Sequence, residues 1–138
     1  MTPVRTMSTK AQGIQKGAQK DLVTSFDADG VVVREAEWGG QNVSFQTFPK
    51  GFDLTPLLRG LPQDQCQCPH WGLVTKGRMI VLAGGRETVV GPGETYYMAP
   101  GHSVRFDADT ELVEWSPAAE LAKTMAAIER NLARRGSA

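Results

Sequence analysis

Hydrophobic residues from about position 30 onward fall in short runs that glycine and proline interrupt. Residues 31–33 form the first β-branched run, and residues 43–47 alternate apolar with polar side chains as a half-buried strand does. The later runs lie at residues 71–75, 78–83, 87–90, 94–98, 103–106 and 111–115. Turn signals at intervals of roughly 8–12 residues are typical of sandwiches and barrels. The pattern predicts an all-β fold of about eight strands, the number found in a jelly roll.

A different period at the carboxyl end predicts one α-helix over about residues 117–135. Ser116 suits the N-cap and Pro117 the first helical position. The apolar residues that follow are spaced by four, three and four positions and form one stripe. They are Leu121, Met125, Ile128 and Leu132. Such a stripe packs either against the barrel or against a second copy of the chain.

The length of 138 residues is that of one domain. Residues 1–20 contain basic but no acidic side chains and few large apolar ones, which predicts a disordered basic tail before a single domain at residues 21–138. Lys and Arg together number fifteen, as do Asp and Glu, so the formal net charge is zero. This balance argues against general binding to nucleic acid or to a membrane surface. No apolar run approaches the roughly 18 residues of a membrane helix.

The two cysteines, Cys66 and Cys68, are separated by one residue. This spacing disfavours a disulfide between them, because side chains two apart on a strand run parallel and the closed ring is strained. Free thiols or metal ligands are the better interpretations, and both suit a reducing cytoplasm. We therefore expect a cytoplasmic location.

The first of two motifs ends at a glycine in a hairpin, Gly77. This stretch resembles a motif of the cupin superfamily, which places two histidines one residue apart ahead of a glutamate and a glycine seven residues after it. In that comparison His70 takes the glutamate position. The paired-histidine positions then fall near Asp64 and Cys66, or one residue earlier.

The second motif runs from Gly93 through a strand to a proline-glycine turn and His102. It is similar to the second cupin motif, whose histidine falls where this chain has Val104. A shift of two residues on an extended strand keeps a side chain on the same face, so His102 is expected to point into the barrel. The resemblance covers residues 42–116. It implies a small single-domain cupin of the RmlC-like kind, with a double-stranded β-helix and, as in many cupins, a homodimer.

The densest candidate chemistry lies in residues 64–71. If this segment is extended, its alternate side chains share one face, and His102 faces them from the other motif. The predicted metal ligands are Cys66, Cys68, His70 and His102. Thiolate and imidazole suit a divalent transition metal such as zinc, iron or copper. A purely structural cluster of buried cysteines and hydrogen-bonded histidines is the competing interpretation.

A ligand pocket is expected beside this cluster. Its predicted lining residues are Asp64, Tyr96, Met98 and Val104. We hypothesise a cupin that binds a transition metal and a small organic molecule, with oxygenase, isomerase or lyase chemistry as candidate activities. The alternative is a metal-free ligand-binding or sensor module. The sequence identifies no catalytic residue and leaves open whether the protein is an enzyme.

Overall fold

The computed structural model of the protein describes residues 13–137, with side chains through residue 135. Residues 1–12 of the predicted tail lie outside this range, and Gln19–Asp21 forms a 3₁₀ turn. Nine strands follow within the described part of the chain, which confirms the predicted all-β fold. They are β1 (Val23–Ala28), β2 (Val31–Trp38), β3 (Gln41–Phe48), β4 (His70–Lys76), β5 (Met79–Ala83), β6 (Arg86–Val90), β7 (Thr95–Met98), β8 (Ser103–Phe106) and β9 (Thr110–Pro117).

The strands form two sheets in which every pairing is antiparallel. The larger sheet has the order β1-β2-β3-β9-β4-β7 and the smaller has the order β6-β5-β8. Their inner faces pack on each other, as in the predicted jelly roll, but hydrogen bonding does not close the two sheets into one continuous barrel. Antiparallel pairing suits the sequence because short glycine-containing turns join most of the successive strands.

The core between the sheets is apolar toward the end of the molecule where β3 ends and β9 begins. Phe48 and Phe106 stack there with ring centroids 4.3 Å apart, and Phe52 packs on Phe48 at 5.4 Å. Residues of both sheets complete the cluster, namely Val31, Val74, Met79, Val81, Val90, Met98, Val104 and Leu112. Burying these side chains is the main driving force for closing one sheet on the other.

Gly77 occupies the turn between β4 and β5 with a φ of 85°, a conformation that favours glycine. A Cβ at this position would lie 2.1 Å from the carbonyl oxygen of Asp109. The first motif predicts a hairpin glycine at this position, and the close approach of the Asp109 backbone explains why a side chain would not fit there.

Helix α1 (Ala118–Ser137) follows β9 directly and begins one residue later than predicted. Pro117 is the last residue of β9, and Ser116 is a strand residue rather than the N-cap. Within residues 13–137, no helix is long and apolar enough to cross a membrane.

The buried face of α1 differs from the predicted stripe. Leu121 and Ile128 do pack on the domain, but Met125 is 38% exposed. The buried side chains on this helix, as far as residue 135, are Thr124, Ala127 and Asn131. The physical reason is that α1 packs on the 3₁₀ turn Thr55–Leu58 and on buried polar atoms, so polar and small residues meet that surface.

Asn131 is the clearest of these polar contacts. Its Nδ2 donates to the carbonyl oxygens of Leu57 at 2.8 Å and Arg59 at 2.9 Å. These carbonyls lie in and just after the 3₁₀ turn, and their hydrogen bonds hold the helix against the domain.

Candidate metal centre

A short backbone ladder brings the two motifs together at the end of the molecule opposite the phenylalanine stack. The backbone N–H of Cys66 donates to the carbonyl of His102 at 2.8 Å, and the N–H of Gly101 donates to the carbonyl of Cys66 at 2.8 Å. His70, four residues after Cys66, is the first residue of β4 and projects from its inner, buried face. The fold therefore converges Cys66, His70 and His102 on one point.

The candidate ligand atoms of these three residues all lie within 4.8 Å of one another. Cys66 Sγ is 3.5 Å from His70 Nε2, and the two imidazole centroids are 4.9 Å apart with an interplanar angle of 68°. All three side chains are buried, with Cys66 only 2% exposed. One sulfur and two imidazoles thus face a common space away from bulk water.

The hydrogen bonds of the two imidazoles fix where their protons lie. His102 Nδ1 is 2.8 Å from the carbonyl oxygen of Ala99, which accepts but cannot donate, so Nδ1 carries the proton. His70 Nδ1 is 2.6 Å from Ser116 Oγ and 3.4 Å from Glu114 Oε2. A carboxylate at that distance likewise favours a proton on Nδ1. Both rings therefore keep Nδ1 anchored and direct Nε2 toward Cys66, where Nε2 donates a hydrogen bond to the thiolate or, after losing its proton, binds a metal.

The environment of Cys66 favours its thiolate. Burial alone would raise the pKa of this thiol, but hydrogen bonds that the sulfur accepts from His102 and His70, with a further contribution from Thr124, outweigh burial and lower the pKa to about 6. The Thr124 hydroxyl, on helix α1, lies 3.4 Å from the sulfur. Thiolate is the form of cysteine that binds metals.

Glu114, which was not among the predicted site residues, also contacts the group through His70. It lies on the inner face of β9 and accepts a hydrogen bond from Tyr96 OH at 2.7 Å and from Gln46 Nε2 at 3.2 Å. Burial by itself would lower the pKa of His70, but the effects of Glu114 and Cys66 outweigh burial, so the pKa of His70 is raised. Burial, reinforced by Glu114, also raises the pKa of Tyr96.

A signal for Glu114 was present in the strand pattern. Positions 112, 114 and 116 share one face of β9, and Leu112 on that face belongs to the apolar core. An acid at the next inward position requires a buried partner, because an isolated buried charge is strongly disfavoured. That partner is Nδ1 of His70, while Nε2 of the same ring faces Cys66.

Cys68 lies outside the group, although it was predicted to be a ligand. Its sulfur donates to the carbonyl of Pro69 at 3.4 Å, and its side chain packs in an apolar cluster with Leu58, Leu121 and Ile128. Burial, which dominates, and the nearby charge of Cys66 raise the pKa of this thiol to about 12. The prediction assumed strict alternation, but an isolated bridge at Cys66, rather than a continuous strand, holds this segment.

The predicted pocket residues separate into three environments. Asp64 is exposed, has a φ of 57° in the turn Pro62–Asp64, and accepts a hydrogen bond from the N–H of Gly60. The backbone at Asp64 is thus not extended, and Asp64 is exposed whereas Cys66 is buried. Met98 and Val104 pack in the apolar core, and only Tyr96 reaches the group, through Glu114.

Comparisons with known proteins identify the fold. No family model and no curated protein matches the sequence. An RmlC-like cupin from Shewanella frigidimarina is similar in structure with a TM-score of 0.57 at 15% identity, covering 78% of this chain and 94% of that one. The chain has a cupin fold.

Two further solved structures are similar to this chain. A protein of unknown function from Rhizobium leguminosarum matches with a TM-score of 0.59 at 17% identity, covering 76% of this chain and 97% of that one. Ectoine synthase from P. lautus matches with a TM-score of 0.55 at 12% identity, covering 80% and 85%. At these identities the likeness shows the fold and carries no activity across.

The donor set of this site fits a transition metal. One thiolate sulfur and two imidazole nitrogens suit zinc, iron or copper and suit calcium or magnesium poorly. The residues present, Cys66, His70 and His102, supply three protein ligands. Structural zinc sites are usually closed by four protein ligands, whereas three are typical of sites that also bind water or a substrate.

Proposed function

We propose that this cupin binds a divalent transition metal through Cys66 Sγ, His70 Nε2 and His102 Nε2. Zinc is the first metal to test. Bound there, the ion would supply Lewis-acid chemistry to an oxygen-containing ligand or a water. Ser116 and Glu114 would hold the His70 ring in place, and the Ala99 carbonyl would do the same for His102.

The observation that carries the proposal is the direction of the three donors. Each imidazole has its Nδ1 bound to a protein oxygen, so the nitrogen left for a metal is Nε2, and the ligand atoms of both rings lie within 4.8 Å of those of Cys66. A cluster that served packing alone would not require two imidazoles anchored at Nδ1 beside a thiol of lowered pKa.

Beyond metal binding, the proposal concerns the ligand and the reaction. A small organic ligand, handled by an oxygenase, isomerase or lyase reaction, is the working hypothesis, and a metal-free binding or sensor role is the alternative. A reducing cytoplasm is part of the proposal because Cys66 must stay a thiol, and both cysteines are free. The homodimer stays a prediction that light scattering at micromolar concentration tests.

Two cysteines of similar burial offer a matched test. Untagged protein, reconstituted with zinc and desalted, is analysed for metal by mass spectrometry. We expect about one equivalent in wild type and Cys68→Ala, and less than about 0.2 equivalents in Cys66→Ala, because only Cys66 belongs to the three-ligand group. Circular dichroism checks that each variant is folded.

Two results would contradict the proposal. One is a wild-type protein that retains less than about 0.2 equivalents of zinc, iron or copper after reconstitution, which would favour the metal-free alternative. The other is Cys66→Ala binding zinc as wild type does. His102→Gln, which removes an imidazole while keeping a polar side chain, gives a second reading in case the cysteine variant is unstable.

A further inference from the structure

Glu114 lies beside the proposed metal ligands without belonging to them. Its Oε2 is 3.4 Å from His70 Nδ1, whereas His70 Nε2 faces Cys66 on the other edge of the ring. The group of mutually close ligand atoms comprises Cys66, His70 and His102. The carboxylate is therefore one imidazole ring away from the metal position.

The hydrogen bonds of Glu114 are those of an ionised carboxylate. Oε1 accepts from the Tyr96 hydroxyl and Oε2 accepts from the Gln46 amide, so both oxygens act as acceptors. Within residues 13–135, the one basic group in an ion pair with Glu114 is His70. Its negative charge is buried, and no Lys or Arg ion pair among these residues neutralises it.

The buried charges determine which ion leaves the site neutral. A metal-bound Cys66 is a thiolate and contributes one negative charge, Glu114 contributes a second, and His70 and His102 are neutral as ligands. A divalent ion therefore brings the sum to zero, whereas monovalent copper leaves one uncompensated negative charge. Burying net charge away from water is strongly unfavourable.

We propose that Glu114, although not a ligand, determines the charge of the metal that this site accepts, favouring a divalent ion over monovalent copper. The inference rests on the proposed function and adds a specificity residue to it. Monovalent copper is the relevant competitor because thiolate and imidazole bind it well. Without the carboxylate, the charge sum would be zero for monovalent copper and positive for zinc.

Glu114→Gln removes this charge with little change in shape. The Tyr96 hydroxyl can donate to the oxygen of the new amide. The new amide nitrogen can donate to the Gln46 carbonyl oxygen once that amide turns over, and the Ser44 hydroxyl, which now accepts from Gln46, can donate instead. His70 keeps its hydrogen bond with Ser116.

The test measures two metals on the same proteins. Wild type, Glu114→Gln and Glu111→Gln are titrated anaerobically with zinc and with monovalent copper, each against a chromophoric chelator. Glu111 is the control, because it is a half-exposed glutamate on the same strand, paired at the surface with Lys76. Glu114→Met supplies a second neutral side chain, and thermal melts verify the fold.

We expect the zinc affinity of Glu114→Gln to fall about 10- to 100-fold while its affinity for monovalent copper is unchanged or higher. Glu111→Gln should bind both metals as wild type does. An equal loss for both metals would overturn the inference, because it would mean that Glu114 only positions His70. No change in either affinity would overturn it as well. A wild-type protein that binds neither metal would instead reject the proposed function itself.

Discussion

The two ends of the space between the sheets are built on different principles. At one end Phe48 and Phe106 stack among aliphatic side chains, and burial of apolar area stabilises the contact between the sheets. At the other end polar contacts link Cys66 to His70 and His70 to Glu114, and Thr124 of helix α1 contacts Cys66. The comparison indicates that stability resides mainly in the first end and chemistry in the second.

The same strands serve both ends. On β9, Leu112 lies in the apolar core, and Glu114 and Ser116, on the same face, contact His70. On β4, Val74 lies in the core and His70 in the polar group. A strand anchored by its apolar half thus holds the polar half in place, which is the rigid support that a metal site needs.

The largest effect expected is at the apolar end. Phe106→Ala should lower the free energy of unfolding by about 3–5 kcal/mol, since it removes a buried ring stacked on Phe48 and leaves a cavity. Urea denaturation measures this change. Val89→Ala is the control, because Val89 is 54% exposed and should change stability by less than about 0.5 kcal/mol. Equal losses in the two variants would contradict the division of roles.

A smaller effect is expected where α1 packs on the 3₁₀ turn Thr55–Leu58. Asn131→Ala should lower the free energy of unfolding by about 1–3 kcal/mol, because the carbonyls of Leu57 and Arg59 lose their buried donor. The same urea experiment measures it. Met125→Ala on the same helix should have a smaller effect because Met125 is partly exposed. If Met125→Ala proves the more damaging, the predicted apolar stripe describes the helix better than the polar contacts do.

The smallest effect separates the two cysteines within the polar end. In metal-free protein, thiolate absorbance should appear as the pH rises through about 6 and disappear in Cys66→Ala, because the pKa of Cys66 lies below its ordinary value of 9.0. Cys68 should stay protonated until about pH 12. As the pH falls from 9 toward 6, the unfolded thiol of residue 66 takes up a proton before the folded one, so its contribution to stability declines. A single transition near pH 9 would contradict these assignments.

Much of the fold could be predicted because its signals are local. Alternating apolar positions and glycine turns predicted most of the strands, and a change of period predicted the helix to within one residue at its start. The convergence of Cys66, His70 and His102 followed from two motifs whose backbones pair directly. These features depend on nearby residues or on one well-defined pairing.

The remaining features depend on contacts between distant segments. The residues next to Cys68 in the sequence do not indicate that it lies in a cluster with Leu121 and Ile128 of the helix. The buried face of α1 likewise follows from carbonyls more than seventy residues earlier in the chain, to which Asn131 donates. The alternation of β9 places Glu114 on the inner face, but its partners could not be assigned from sequence because they come from three other strands.

Strand β9 ends at Pro117 and helix α1 begins at Ala118 with no loop between them, which fixes the spacing of Glu114 and Thr124. Glu114 precedes this junction and Thr124 follows it, and both contact the group. Each residue of an α-helix turns the chain by about 100°, so one inserted residue here would carry Thr124 to another side of the helix. We therefore expect insertions and deletions to be better tolerated in the surface hairpins than at the junction of β9 and α1.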